Sequence, residues 1–337
     1  LKEMKMFDTQ FEACFNQPGC DAEQLKADNA GSREWQEKSI KLYEGILRNY
    51  PRYQRADQAT FFLGSAYKDI GNEAQAVEAF KQLVKLYPES TYLPDAYVLI
   101  GEYYFDIEGN AYGALKAYLK ASSYTDSPKY SYSMYKLGWC YYNVGEYKNA
   151  IDVMKDVISR SDSSTEQGKI SLKEEALNDL VLFYSEQGDM DAAYAYFSQM
   201  GEKRHYKAML KRLGSTYLEQ GKFEQAITTF RKLIAEETLA KDTPTFQDEI
   251  INAYFKSGRK EETLSEIDRL ASEYGSGSAW AKANSSNQEA VGEANSLIDK
   301  NLRQVAIDYH KEARKTGSQK TYELARKSYQ KYLGLFP

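Results

Sequence analysis

The sequence predicts an all-α protein: a solenoid of stacked helical hairpins. Three observations lead there. A skeleton of small, tyrosine and glycine positions recurs along most of the chain, apolar residues inside each recurrence fall at helical spacing, and 29 tyrosines stand beside only 7 prolines in 337 residues. Length alone would fit two ordinary domains as well as one elongated array, so the repeat decides.

The unit is clearest at 59–88, ATFFLGSAYKDIGNEAQAVEAFKQLVKLYP, where one helical stripe ends at Gly71 and a second succeeds it. A small or apolar residue (Gly64, Gly101, Gly138, Val181, Gly214, Ile251) precedes by three positions a tyrosine (Tyr67, Tyr104, Tyr141, Tyr184, Tyr217, Tyr254). Four residues later comes Gly71, Gly145, Gly188, Gly221 or Gly258; in the second unit Gly109 arrives one residue late. In the second half of each unit Ala76, Ala114, Ala150, Ala193, Ala226 or Thr263 is followed at +4 by Phe80, Tyr118, Met154, Phe197, Phe230 or Ile267. Three further on stand Leu83, Ala121, Val157, Met200, Leu233 and Leu270. The small residue lets the second helix approach the first, the tyrosine fills the wedge between hairpins, and the later glycine supplies a φ > 0 turn. Pro88 stops the second helix. A single hairpin cannot bury its own apolar face, so the units must stack.

Outside the six units the elements are less regular. Met4, Phe7, Phe11 and Phe15 recur at helical spacing and predict an amphipathic helix over residues 1–15. Pro18-Gly19 turns the chain, and Asp21 is a candidate N-cap for the next helix. A helix over about 33–50 matches only the second half of a unit, as does 322–337; between them, Leu297, Ile298, Leu302, Val305, Ala306 and Tyr309 predict one longer helix. The expected organisation is therefore capping helices and a half repeat over 1–56, six units over 57–274, and a loop, a long helix and a partial repeat over 275–337. The pattern stops in mid-unit at Pro337 and the chain opens on Leu1, which together predict a piece of a longer protein.

Composition narrows the functional classes. An apolar fraction of 42% supports a core, and a formal charge of −5 disfavours a nucleic-acid partner. No run approaches the ~18 apolar residues of a membrane helix, so membrane association would come only through a lipid anchor or a partner outside this chain. His205 and His310 are single and carry no second ligand at metal spacing; QGKIS and QGKFE are repeat turns, not phosphate cradles; and no G-x-S-x-G elbow occurs. The pairs Glu174-Glu175, Glu236-Glu237 and Glu261-Glu262 fall at helix starts or in linkers. No catalytic residue, cofactor or metal is expected. The densest basic segment, GEKRHYKAMLKR, offers Lys203, Arg204, Lys207 and Arg212 as a contact patch for an acidic partner or as a solvated helix face.

Cys14 and Cys20 flank the Pro18-Gly19 turn. A zinc site lacks further ligands, because Cys140 lies inside the third unit, and the charged FDTQFEA before Cys14 is no lipobox. A disulfide or two free thiols remain; a Cys14–Cys20 disulfide is expected if the chain is exported, worth roughly 2 kcal/mol by loop entropy.

The skeleton resembles the tetratricopeptide repeat, and the resemblance spans about 57–274. It implies a right-handed α-solenoid that binds a protein or peptide in a concave groove lined by the first helix of each unit. Carried over position by position, that groove holds Phe61, Ser65 and Lys68; Val98, Glu102 and Phe105; Tyr132, Tyr135, Trp139 and Tyr142; Asn178 and Leu182; Lys211 and Ser215; Asn252 and Phe255. The Lys/Asn clamp by which some family members hold a chaperone's C-terminal carboxylate is missing, since Phe61 with Ser65, or Val98 with Glu102, stand in its place. An aromatic strip, Tyr132, Tyr135, Trp139 and Tyr142, replaces it. Trp280, in a Gly/Ser-rich loop, is a second candidate anchor or a cap on the sixth unit.

Units ending in LYP or NYP, and the final segment LRQVAIDYHKEARKTGSQKTYELARKSYQKYLGLFP, are similar to bacterial cell-envelope proteins of this repeat type. BamD-like lipoproteins, Tol-associated coordinators and deltaproteobacterial gliding-machinery scaffolds are examples. The implied role is a non-enzymatic scaffold, periplasmic or outer-membrane-associated, within an envelope or motility complex. Two other classes fit the same repeats: a substrate-recruiting arm of a larger enzyme, and a cytoplasmic regulator.

Overall fold

The computed structural model describes residues 22–162, 167–199 and 203–336, and among them every regular element is a helix. The expected N-terminal amphipathic helix, the Asp21 cap and the Cys14–Cys20 pairing lie outside these residues. The chain divides into two compact units, the first ending at Ala176 and the second beginning at Leu177.

In the first unit α1 (Ala22–Asn49) precedes three hairpins. They are α2 (Ala56–Asp69) with α3 (Glu73–Leu86), α4 (Leu93–Glu102) with α5 (Ala111–Ala121), and α6 (Tyr130–Asn143) with α7 (Tyr147–Asp162). The second unit begins within α8 (Gln167–Gln187), whose Tyr184 meets Phe197 of α9 (Met190–Ser198) edge-on at 5.6 Å. Next come the pairs α10 (Lys203–Glu219) with α11 (Phe223–Glu236) and α12 (Thr243–Lys256) with α13 (Lys260–Tyr274). A short α14 (Ala279–Ala283) leads to the long pair α15 (Gln288–Thr316) and α16 (Gln319–Leu335). Helix α1 starts well before the apolar stripe that announces it near Trp35. Residues 22–30, AEQLKADNA, are mostly good helix formers without an apolar stripe, so propensity extends the helix where periodicity is silent.

The hairpins close at the turn and, in some, also midway along the helices. Midway, in four of them, a first-helix glycine receives the large second-helix side chain. A Cβ at Gly64 would lie 2.6 Å from the Phe80 ring, one at Gly101 2.7 Å from the Tyr118 ring, and one at Gly214 2.8 Å from Phe230. At Gly138 the intruder is the Met154 methyl, at 2.8 Å. Phe80, Tyr118, Met154, Phe197 and Phe230 are all at most 1% exposed, and burying such a side chain stabilises by about 1.5–3 kcal/mol. At the turn, Gly71, Gly109, Gly145, Gly188, Gly221 and Gly258 have φ between 65° and 82°, the left-handed region only glycine enters at low cost. The next residue's N–H then bonds back to the carbonyl of the wedge tyrosine: Asn72 to Tyr67, Glu146 to Tyr141, Lys222 to Tyr217 and Arg259 to Tyr254, at 2.8–3.0 Å. Asn72, Asn110 and Asp189 add side-chain N-caps to the helices they open.

The late glycine of the second hairpin has a physical counterpart. Tyr103–Ile107 wind as a π-helical turn after α4, absorbing one extra residue before Gly109, and Asn110 N–H reaches back six residues to the Tyr104 carbonyl at 2.7 Å.

Trp280 is a cap, not a surface anchor. The Gly/Ser-rich loop folds α14 under a Ser278 N-cap, and this carries Trp280 inside, 1% exposed and edge-on to Tyr274 at 5.8 Å. Its indole N–H donates to the Ala240 carbonyl at 2.7 Å, tying α14 to the turn between α11 and α12.

Two substitutions test this packing. Gly101→Ala drives a methyl into a rigid phenol ring and is expected to cost about 1–3 kcal/mol in urea unfolding, whereas Gly138→Ala meets a flexible thioether and should be near neutral; equal costs would refute the close-approach account. Trp280→Ala should lose about 3–5 kcal/mol, with Trp280→Phe recovering most of it and leaving about 1 kcal/mol for the lost bond.

Candidate partner-binding faces

In the first unit the first helices α2, α4 and α6 present a row of aromatic and charged side chains. Glu102 of α4 is its polar node: one carboxylate oxygen accepts from Lys68 of α2 at 2.7 Å, the other from the Tyr132 hydroxyl of α6 at 3.1 Å. Burial, reinforced by the Glu102 charge, pushes the Tyr132 phenol pKa well up, so it stays a neutral donor. One turn on, Lys136 pairs with Asp106 at 3.3 Å, and its ammonium lies 4.4 Å above the Phe105 ring. These links join neighbouring hairpins, so the polar groups that could greet a ligand are largely engaged with each other.

The aromatics divide accordingly. Phe61 is half-buried, stacked on Tyr92 of the next hairpin at 4.7 Å. Phe105, half-buried, belongs to the cluster around Tyr118, Leu137 and Cys140. Val98 does not line a groove: it is 3% exposed and fills the same seam between the second and third hairpins. Tyr132, Tyr135, Trp139 and Tyr142 all keep partial exposure, and Trp139 meets Tyr142 edge-on at 5.5 Å, with Tyr147 a further 5.5 Å from Tyr142. Four of the predicted residues therefore share one helix and one accessible strip. Beneath it Cys140 is fully buried, and burial raises its thiol pKa to about 12, leaving no thiolate for nucleophilic chemistry.

In the second unit Lys211 is exposed on α10, and Asn178 of α8 accepts from Arg212 at 3.0 Å. Asn252 and Phe255 of α12, the latter 38% exposed, line a cleft of about 220 Å³ against α15, where Asp248 accepts from Lys300 at 3.2 Å and from Asn301 at 2.6 Å. The basic segment is engaged in part. Lys207 is ion-paired to Glu237, and Arg212 is held by Asn178, while the side chains of Lys203 and Arg204 lie outside the described residues. Among the described residues no three His, Cys, Asp or Glu side chains come together as a metal-binding group, and no helix is long and apolar enough to cross a membrane.

The links between hairpins are invisible to the repeat pattern. Lys68 and Glu102 stand 34 residues apart, and Asp106 and Lys136 stand 30 apart, so opposite charges at about one repeat period are the signal that could have found them.

Family models recognise the hairpins directly. One tetratricopeptide-repeat model matches residues 61–90 and 132–164, and a second matches 184–241. No curated protein matches the sequence. Among solved structures the chain is similar to MamA, at 23% identity and a TM-score of 0.38, over 59% of this chain and 96% of that one. It is also similar to a tetratricopeptide repeat protein from Parabacteroides merdae, at 15% identity and a TM-score of 0.39 over 88% and 99% of the two chains. Apo RapI aligns at 13% identity and 0.42 over 99% and 96%. The chain thus carries tetratricopeptide repeats, which generally serve as non-catalytic modules that bind other proteins.

Proposed function

We propose that this chain is a non-enzymatic scaffold that holds a protein or peptide partner against the tyrosine-rich strip of α6, within a multiprotein complex of the bacterial cell envelope. The observation that carries the binding site is the set Tyr132, Tyr135, Trp139 and Tyr142, partly exposed together on one helix whose polar neighbours are already engaged across the hairpins. Such a surface gains most from apolar side chains, which it desolvates without breaking an internal ion pair. The envelope setting rests on the LYP and NYP unit ends and the texture of the final segment, with periplasmic or outer-membrane-associated residence as its corollary.

Full-length tagged protein should recover a defined protein partner from envelope fractions of the source bacterium. The double variant Trp139→Ala/Tyr142→Ala should lower that affinity by ~30-fold or more, which is about 2 kcal/mol, as for central aromatic anchors. Recovery from cytosolic fractions alone would overturn the envelope setting, and an unchanged affinity in the double variant would overturn the α6 strip. Co-purification of a catalytic subunit that works only when joined to this chain would favour the recruiting-arm reading.

A further inference from the structure

A second groove lies in the first unit, where the second helices α3 and α5 flank α4. It encloses about 920 Å³, near the upper end of the ~300–1,000 Å³ typical of ligand clefts. Its floor is apolar, with Ile100 and Ala117 buried at the base. Tyr97 and Tyr104 form its sides; Tyr97 is stacked on Tyr124 at 6.4 Å. Tyr104 lies so close to α5 that a Cβ at Gly113 would stand 2.9 Å from its ring. Tyr104 sits inside the π-helical turn, so the one-residue insertion falls in the helix that walls the groove.

The rim decides what the groove suits. Tyr112 and Leu119 are 64% and 41% exposed, large apolar side chains left in solvent beside the opening. Three lysines, Lys81, Lys116 and Lys120, complete the lining, and among the described residues no carboxylate lines it. Lys81 is 4.9 Å above the Tyr104 ring and within the field of Glu78 and Glu108. Lys116 and Lys120 are exposed and have no ion-pair partner among the described residues. No acidic residue occurs between Glu108 and Asp126. Aligned on the repeat, the places of Tyr112 and Lys116 are taken by Ala74 and Glu78 in the first hairpin, Lys148 and Asp152 in the third, and Glu224 and Thr228 in the α11 hairpin. An aromatic-plus-lysine rim therefore belongs to α5 and not to the repeat skeleton.

We infer that the groove between α3, α4 and α5 is a second docking site, and that its occupant is an acidic peptide segment carrying aromatic or large aliphatic side chains. The apolar floor takes the side chains while the lysine rim holds flanking carboxylates, a division that gives affinity to the former and steering to the latter. It is separate from the α6 strip and stands whether or not that strip binds.

The test uses full-length protein and a random twelve-residue phage-displayed peptide library. Selection on the wild type should enrich peptides that combine several Asp or Glu with Phe, Trp or Leu. Fluorescence anisotropy with the enriched consensus peptide should show binding that weakens with added salt. It should fall by about 10-fold or more in Lys116→Glu/Lys120→Glu and in Leu119→Ser, while Trp139→Ala leaves it unchanged. Circular dichroism would confirm that these surface variants fold. A pool without acidic bias, or an affinity indifferent to the α5 variants, overturns the proposal. So does a finding that the α5 variants abolish binding to phosphatidylglycerol vesicles, or dissociate a dimer in sedimentation velocity, while no peptide is selected. Those results would mark the face as a membrane or self-association surface.

Discussion

A bulky second-helix side chain seated on bare first-helix backbone is the contact from which the other features of these hairpins descend. With Phe80 on Gly64, Tyr118 on Gly101 and Phe230 on Gly214, the two helices of a hairpin come closer than any side chain on the first helix would permit. That approach fixes where the wedge tyrosine of the same helix points, because it lies three residues along. It also leaves the opposite faces of both helices free to meet a neighbour. Each such hairpin is a two-sided brick whose dimensions are set by one contact, and its surface chemistry can vary without disturbing the stacking.

The bricks differ in how they are tied together. Polar side chains at nearly one repeat period reach across the seams: Lys68 and Tyr132 to Glu102, Lys136 to Asp106, Arg259 to Glu224, Lys222 to Glu186. Partly exposed pairs of this kind contribute little individually, of order 0–1 kcal/mol. In the first unit, the pairs of Glu102 and Asp106 engage charged groups of the first helices beside partly exposed aromatic side chains. At the groove between α3, α4 and α5 the balance is reversed, with exposed lysines around an apolar hollow.

The repeat, its glycine turns and the long final hairpin are legible in the sequence because each depends on residue type at a fixed spacing. Side-chain commitments are less legible. Val98 occupies a position that faces a groove in the general repeat, yet here it is drawn into the seam with Leu137 and Tyr118. Trp280 sits among Gly and Ser, a composition that reads as an open loop, and only the Ser278 cap with the Ala240 carbonyl as acceptor turns it inward. Lys207 looks available in the sequence because its partner Glu237 lies 30 residues away, beyond the end of α11. In each case the deciding partner is distant in sequence and not marked by periodicity.

The ties between hairpins have a further meaning for how the chain acquires its structure. Many of them connect residues only 30 to 37 positions apart, as in Tyr132 to Glu102 and Lys222 to Ser185. Contacts so local in sequence give a low contact order, which favours rapid folding without long loop searches. A nascent chain would be able to lock each hairpin as soon as the following first helix is synthesised. Assembly could then proceed in step with translation, and exposed aromatic seams would be short-lived.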